Sequence, residues 1–435
     1  MTVSSSRPDP DKVAAAVDAV MPLAEKLFAD LRTHTGASEG VSRESYGEGE
    51  QYAHDLLKNL AESLQLEISI DFAGNLYMTL PGRERYQPAW ITGSHLDSVP
   101  NGGNYDGAAG VIAGVTALCA LRESGLLPSR DVTVMGIRAE EASSWYRGDH
   151  GGHLGSRAAL GVLNTAELSA AINVRTDRTL ADHMREAGFD PGAVTDRGSH
   201  LLKQKYKGYL ELHIEQGPVL ENRNIPVGIV TGIRGSARAR DARCLGAYTH
   251  SGAVPHEYRS DAVLATAELC YRLDQRWQDV RTSGGDLVFT VGKFFTDPKA
   301  HSLTKVPGET NFTIDFRSQH LVTLKEMVTY ADQVATEIAA RRRVKFELGS
   351  FNVSEPALMD EDIQRLLANG ARELDVPHIQ LPSGAGHDAQ DFALAGFPAG
   401  MIFVRNSYGS HNPHEAMAMD DFALGTRLLA WALTA

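Results

Sequence analysis

His95 and Asp97 follow an apolar run, 89–92, and a Gly- and Asn-rich loop carries the chain on to Asp106. Residues two apart on an extended strand point the same way, so His95 and Asp97 share a side. An imidazole and two carboxylates at the carboxyl end of a strand suit a divalent metal of hard to borderline character. A phosphate loop is the rival reading. It fails because there is no GxGxxG and no Gly-Lys-Ser/Thr, and an Asp facing a phosphate would repel it. A polar loop with an incidental histidine is the other rival, and this stretch alone does not decide against it.

Four further stretches carry metal-type or acid–base residues: Glu140-Glu141, His213-Ile214-Glu215-Gln216-Gly217, Ser383-Gly384-Ala385-Gly386-His387-Asp388-Ala389 and Ser410-His411-Asn412-Pro413-His414-Glu415. Taken singly, an adjacent Glu pair is usually a solvated face. Three of these groups follow apolar runs, at 131–137, 209–212 and 401–404, and the other lies in a glycine-rich loop. Ligands of an open α/β sheet bind outside the carboxyl ends of its strands, so together the groups point to one site.

The elements that must position them follow from periodicity. Residues 13–31 and 51–64 repeat apolar positions at helical spacing, and 67–72 with 76–80 read as a hairpin of short strands. Strands then alternate with helices, which indicates an α/β sheet with parallel strands. A mixed, mostly helical excursion is expected over 149–191. After Glu221 the texture changes. Strands at 227–233, 237–245, 287–293 and 344–348, a cleanly alternating strand at 310–317, and helices at 261–280 and 324–341 describe an α+β unit. Helix–strand alternation returns at 360–374 and 399–404. The expected architecture is an α/β catalytic domain, 1–231 with 351–435, split by an inserted domain at 232–350.

Composition bounds the rest. A chain of 435 residues exceeds what one core usually serves. A net charge of −13 argues against a nucleic-acid partner. The three cysteines form no CxxC pair, which fits a reducing cytoplasm, and no stretch reads as a signal peptide or a membrane span.

In order along the chain, Gly-Ser-His-Leu-Asp at 93–97, Asn-Gly-Gly at 101–103, Asp-Gly at 106–107, Glu-Glu at 140–141 and His-Ile-Glu-Gln-Gly-Pro-Val-Leu-Glu at 213–221 form one series. Pro-Gly at 307–308, Asp-Phe-Arg at 315–317, Ser-Gly-Ala-Gly-His-Asp-Ala at 383–389 and Ser-His-Asn-Pro-His-Glu at 410–415 complete it. Over nearly its whole length the chain resembles the hydantoinase/carbamoylase family of amidohydrolases, which have the two-metal aminopeptidase fold. The resemblance implies two divalent metal ions per subunit (Zn, Mn, Co or Ni). Asp106 bridges them, His95 and His213 complete one site, and Glu141 and His411 the other. It implies Glu140 as general base, with Asp97 holding the His95 ring. Gln216 and Arg317 contact the substrate, Arg317 through its carboxylate. His250 stabilises the oxyanion in a neighbouring subunit's site, so a homodimer through the inserted lid domain is expected. His387 either lines the site or orders its loop. A cis peptide between Asp106 and Gly107 is implied as well.

The chain departs from the family pattern at Ser144, where Arg is usual, and at Thr304, where a substrate-facing Asn is usual. Thr304 and the bulky Trp145 are expected to reshape the pocket. The reaction expected is hydrolysis of linear, non-peptide C–N bonds of an N-carbamoyl amino acid or related ureido acid. An aminoacylase- or dipeptidase-like hydrolase on the same fold is the nearest rival, and a catalytically dead binding protein is the rival from another class.

Overall fold

The computed structural model describes residues 8–148, 152–196 and 198–435. Two compact units form, one from residues up to Thr231 together with Leu358–Ala435, the other from Gly232–Ala357.

The first unit is built on a mixed sheet. Val132–Ile137, Ala89–His95, Tyr206–Ile214 and Ala399–Val404 lie side by side and parallel. Glu67–Ile70 and Leu76–Leu80 extend it antiparallel on one side, and Val227–Ile233 on the other. All six residues of Val132–Ile137 and of Ala399–Val404 are buried. Continuous apolar runs of this kind are what central parallel strands need, because helices cover both faces. The helix Ala108–Glu123 is apolar all round and is buried from Ala108 to Leu121. A helix without a polar face belongs inside, and it packs against Pro10–Thr35 and Met419–Leu433 in one continuous core. Pro10–Thr35 starts on Pro10, with Asp9 accepting from the Asp11 amide. Proline is tolerated there because the first amides of a helix have no intrahelical acceptor.

The second unit has an antiparallel sheet in the order Val288–Thr290, Glu309–Ser318, Gly235–Leu245, Lys345–Glu347. In Glu309–Ser318 burial alternates residue by residue, with Phe312, Ile314 and Phe316 inside. Helices Ala262–Thr282 and Leu321–Arg342 pack on this sheet and bury Leu269, Leu273, Met327 and Ile338.

Two expectations need adjusting, the second boundary and the Asp106–Gly107 peptide. The second boundary lies at 357/358 rather than 350/351, because Asn352–Ser354 adds another strand to Gly235–Leu245. The excursion at 149–191 opens on residues 149–151, which lie outside the described residues; its helices run from Leu154–Ala159 to Pro191–Asp196. The Asp106–Gly107 peptide is trans. The sharp turn there is made by Gly107 instead, at φ +67°. Among the described residues no helix is long and apolar enough to cross a membrane. Cys119, Cys244 and Cys270 are free thiols.

Candidate metal centre

The parallel strands deliver the site at their carboxyl ends. His95 is the last residue of its strand and stands opposite Ile137, after which the chain turns through Arg138-Ala139-Glu140-Glu141. His213 stands opposite Phe403, and the chain beyond Val404 leads to Ser410 and His411. Asp106 precedes the buried helix Ala108–Glu123. A Cβ on Gly107 would sit 2.3 Å from the His95 ring, so only glycine lets the imidazole lie against this turn.

Asp106 is the centre of the arrangement. Its Oδ1 is 3.1 Å from His213 Nε2 and 3.6 Å from His95 Nε2. Its Oδ2 is 3.3 Å from His411 Nε2, which is itself 2.8 Å from Glu141 Oε1. Ligand atoms of His95, Asp106 and His213 lie within 4.8 Å of one another, as do those of Asp106, Glu141 and His411. Although His213 Nε2 is close, Asp106 Oδ1 is buried without a hydrogen-bond partner. Buried polar atoms are rarely left so, and an orphaned carboxylate oxygen facing two imidazoles fits a cation. The donor set is two N,O,N or O,O,N triplets sharing one carboxylate, which suits Zn and its first-row neighbours.

The electrostatics agree. Burial, with Glu140 and Asp106 close by, pushes the Glu141 carboxyl up to about 7. Hydrogen bonds that the His411 ring donates to the Asp106 and Glu141 carboxylates push His411 up to about 10. Acidic and imidazole groups crowded this way hold protons that a bound cation would displace. His411 is half exposed, whereas the other four ligand candidates are buried.

Buried groups hold these side chains in place. Asp97 lies 3.3 Å from His95 Nδ1 and accepts from the amides of Glu140 and Glu141 and from Ser45 Oγ. His213 Nδ1 is 2.9 Å from the Ile214 carbonyl. Glu50 accepts from the Ala139 amide and from Arg138. Glu415 accepts from the amides of Tyr105 and Asp106, and Ser410 Oγ lies between the two carboxylates, 2.7 Å from Asp106 Oδ2 and 2.5 Å from Glu415 Oε2. Ala139, Gln216 and His411 all take left-handed backbone conformations, at φ +55°, +59° and +58°. Strain in non-glycine residues persists only where surroundings enforce it, and it gathers here at the site.

A cavity of about 470 Å³ opens over this centre, with His95, Glu140, Glu141, His213, Gln216, His387 and His411 on its wall. Gln216 Nε2 donates to Asp106 Oδ2, while its Oε1 has no partner among the described residues. The His387 ring packs edge-on against His213, and its Nε2 is 3.0 Å from Ser383 Oγ. Burial, reinforced by His213, lowers the His387 imidazole well below its ordinary value. Trp145 is not on this wall. Its indole is buried in a neighbouring apolar cluster and donates to the Ser98 carbonyl, which corrects the expectation that it shapes the pocket. Ser144 Oγ reaches Glu141 Oε2 at 3.5 Å.

Three expected site residues belong to the second unit. His250 and Thr304 are neighbours in a small hairpin, where Thr249–His250 pairs Lys305–Val306 and the Ser251 amide donates to the Thr304 carbonyl. His250 is exposed, and its Nδ1 accepts from the amides of Gly252 and Ala253. Arg317 lies on the alternating strand, with its guanidinium against Asp315. The sequence motifs assign no role to Glu50, Ser410 or Glu415, nor to His153, which contacts Glu140, or to Asp391 on the far side of the His153 ring. Glu415 and Ser410 stand within a recognisable motif, but nothing local marks them as supports for Asp106.

Residues 91–435 match the model of peptidase family M20/M25/M40. The chain is 33% identical to the N-carbamoyl-L-amino acid amidohydrolase of Geobacillus stearothermophilus, over 90% of this chain and 92% of that protein. It is 32% identical to the ureidoglycolate hydrolase of Arabidopsis thaliana, over 97% and 87% respectively. A solved hydantoinase/carbamoylase family amidase from Burkholderia ambifaria superposes with a TM-score of 0.84 at 26% identity, over 96% of this chain and 97% of that one. Metal ligand candidates at the ends of four parallel strands, and likeness over the whole length, place this chain in peptidase family M20/M25/M40, among its hydantoinase/carbamoylase amidohydrolases.

Proposed function

We propose that this chain hydrolyses the carbamoyl C–N bond of an N-carbamoyl amino acid or related ureido acid. The observation that carries the reading is the pair of ligand triplets sharing Asp106, with Glu140 beside them in the same cavity. The relatives named for N-carbamoyl-amino-acid and ureidoglycolate hydrolysis support the substrate class.

His95, Asp106 and His213 would hold one divalent cation, and Asp106, Glu141 and His411 the other. A pair of such ions, when bound, lowers the pKa of a water and polarises the carbonyl. Glu140 accepts the proton of the attacking water and delivers it to the leaving nitrogen. Its carboxyl is suited to the first step: burial raises its pKa, but nearby positive charge, that of His153 foremost, keeps it lowered. Asp97 steadies the His95 ring and, through two amides, the Glu140-Glu141 turn. The unpartnered Oε1 of Gln216 is placed to accept from a substrate N–H. The products are the free amine and a carbamate that decays to carbon dioxide and ammonia.

Arg317 is assigned the substrate carboxylate, because a planar guanidinium can bind it through two parallel hydrogen bonds. His250 is assigned the developing oxyanion, supplied from the neighbouring subunit of a homodimer formed through the second unit. Thr304 beside it contributes to substrate choice. The enzyme is assigned to the cytoplasm.

A substrate panel tests the reading. Metal-reconstituted protein is given N-carbamoyl amino acids, N-acyl amino acids and dipeptides. Ammonia release from the first group, with little turnover of the others, is expected. Turnover confined to N-acyl amino acids or dipeptides would replace it with an aminoacylase or dipeptidase.

A further inference from the structure

His153 meets the Glu140 carboxylate with one ring nitrogen and the Asp391 carboxylate with the other. Its Nε2 is 3.1 Å from Glu140 Oε1, and its Nδ1 is 2.7 Å from Asp391 Oδ2. Two carboxylates on opposite sides of one imidazole need both nitrogens as donors, which is the protonated ring. Burial lowers the His153 pKa, but Glu140 and Asp391 outweigh it and hold the imidazole well above its ordinary value.

The surroundings enforce the contact. The His153 amide donates to the Glu140 carbonyl, Leu154 to Ala139 and Gly155 to Arg138, so this stretch is laced to the turn that carries Glu140. His153 itself is held at φ +58°, a left-handed conformation that costs a non-glycine residue free energy. From the other side the loop carrying His387 closes over the ring: a Cβ on Gly386 would come within 3.0 Å of His153 Nε2. Glu140 Oε2 remains on the other side, 4.0 Å from His95 Nε2.

We propose that His153, anchored by Asp391, is a positioning residue for Glu140: it ties down Oε1 and leaves Oε2 as the one oxygen presented to the attacking water. The inference rests on the reading of Glu140 as general base. A bare structural ion triad would hold the loop and nothing more. A positioning group affects the chemical step, because a base must lie within hydrogen-bond reach of the proton it takes.

The test uses metal-reconstituted enzyme and the fastest substrate of the panel. His153→Leu is expected to lower kcat by ~10–100-fold while KM stays within ~2-fold, the signature of an interaction used in the transition state. Metal content and melting temperature should stay near those of the parent. His153→Gln, whose amide can still donate to Glu140, should recover at least ~5-fold of the lost kcat. The double variant His153→Leu/Asp391→Asn should be no slower than His153→Leu, since residues of one network are not additive. Where His153→Leu does not fold, Asp391→Asn carries the test, with an expected fall in kcat of ~3–10-fold. A kcat within ~2-fold of the parent in the folded variants would overturn the proposal. So would a loss that follows metal content or melting temperature and is not rescued by Gln. Glu140→Gln separates the two layers. Full turnover in that variant removes the base and this proposal together, whereas an inactive Glu140→Gln beside a normal His153→Leu removes this proposal alone.

Discussion

At the scale of single residues, Glu140 is the proposed general base. Glu140→Gln keeps the size and the polar contacts of the side chain but cannot take up a proton. It should retain its metals and lose at least ~10²-fold in kcat, the usual scale for a general base. Steady-state kinetics alongside metal analysis checks this. The ligand candidates are legible in the sequence because His95, Glu141 and His213 fall at or just after apolar runs, where a strand end is easy to place. The groups that hold them are less so. Glu415 accepts from the Asp106 amide across a separation of 309 residues, and His153 meets Asp391 across 238. No periodicity connects such pairs, since only the folded sheet brings them together. The trans peptide at Asp106–Gly107 has the same lesson at shorter range. The resemblance implies a cis bond there, whereas the chain turns through the positive φ of Gly107.

At the scale of elements, each unit depends on a different pattern. The first unit uses unbroken apolar strands buried on both faces, and the second a strand that alternates. In Glu309–Ser318 the same alternation that buries Phe312, Ile314 and Phe316 puts Asp315 and Arg317 on the opposite face. Phe316 is fully buried between Phe289 and Phe351. Phe316→Ala should therefore destabilise the second unit by ~3–5 kcal/mol, the range for truncating a buried aromatic. Urea unfolding followed by circular dichroism would register it, and metal binding in the first unit should persist below the transition. The alternation was legible because its period is two and its residues β-prone. The strand Asn352–Ser354 was not, because its residues are exposed and it gains its place only by pairing with Gly235–Leu245. The short helices between Leu154 and Asp196 escape detail for a similar reason, since six or seven residues are too few to show a helical period.

At the scale of the whole molecule, the proposed site draws on more than one polypeptide. Mixing inactive His250→Ala subunits with inactive Glu140→Ala subunits and allowing exchange would form dimers in which one site keeps both native residues. Activity should return toward ~25% of the parent, since half the dimers are mixed and each holds one intact site of two; a two-fold assembly with shared sites predicts no less. No recovery in dimers shown to be mixed would return His250 to its own chain.

The proposed chemistry requires two cations held on either side of Asp106. Its most direct test is turnover of an N-carbamoyl amino acid as Mn²⁺ or Zn²⁺ is titrated into chelator-stripped protein. Turnover should be absent without metal and should rise to a plateau at two equivalents per subunit. Full turnover in the stripped protein, or a plateau reached at one equivalent, would contradict this requirement.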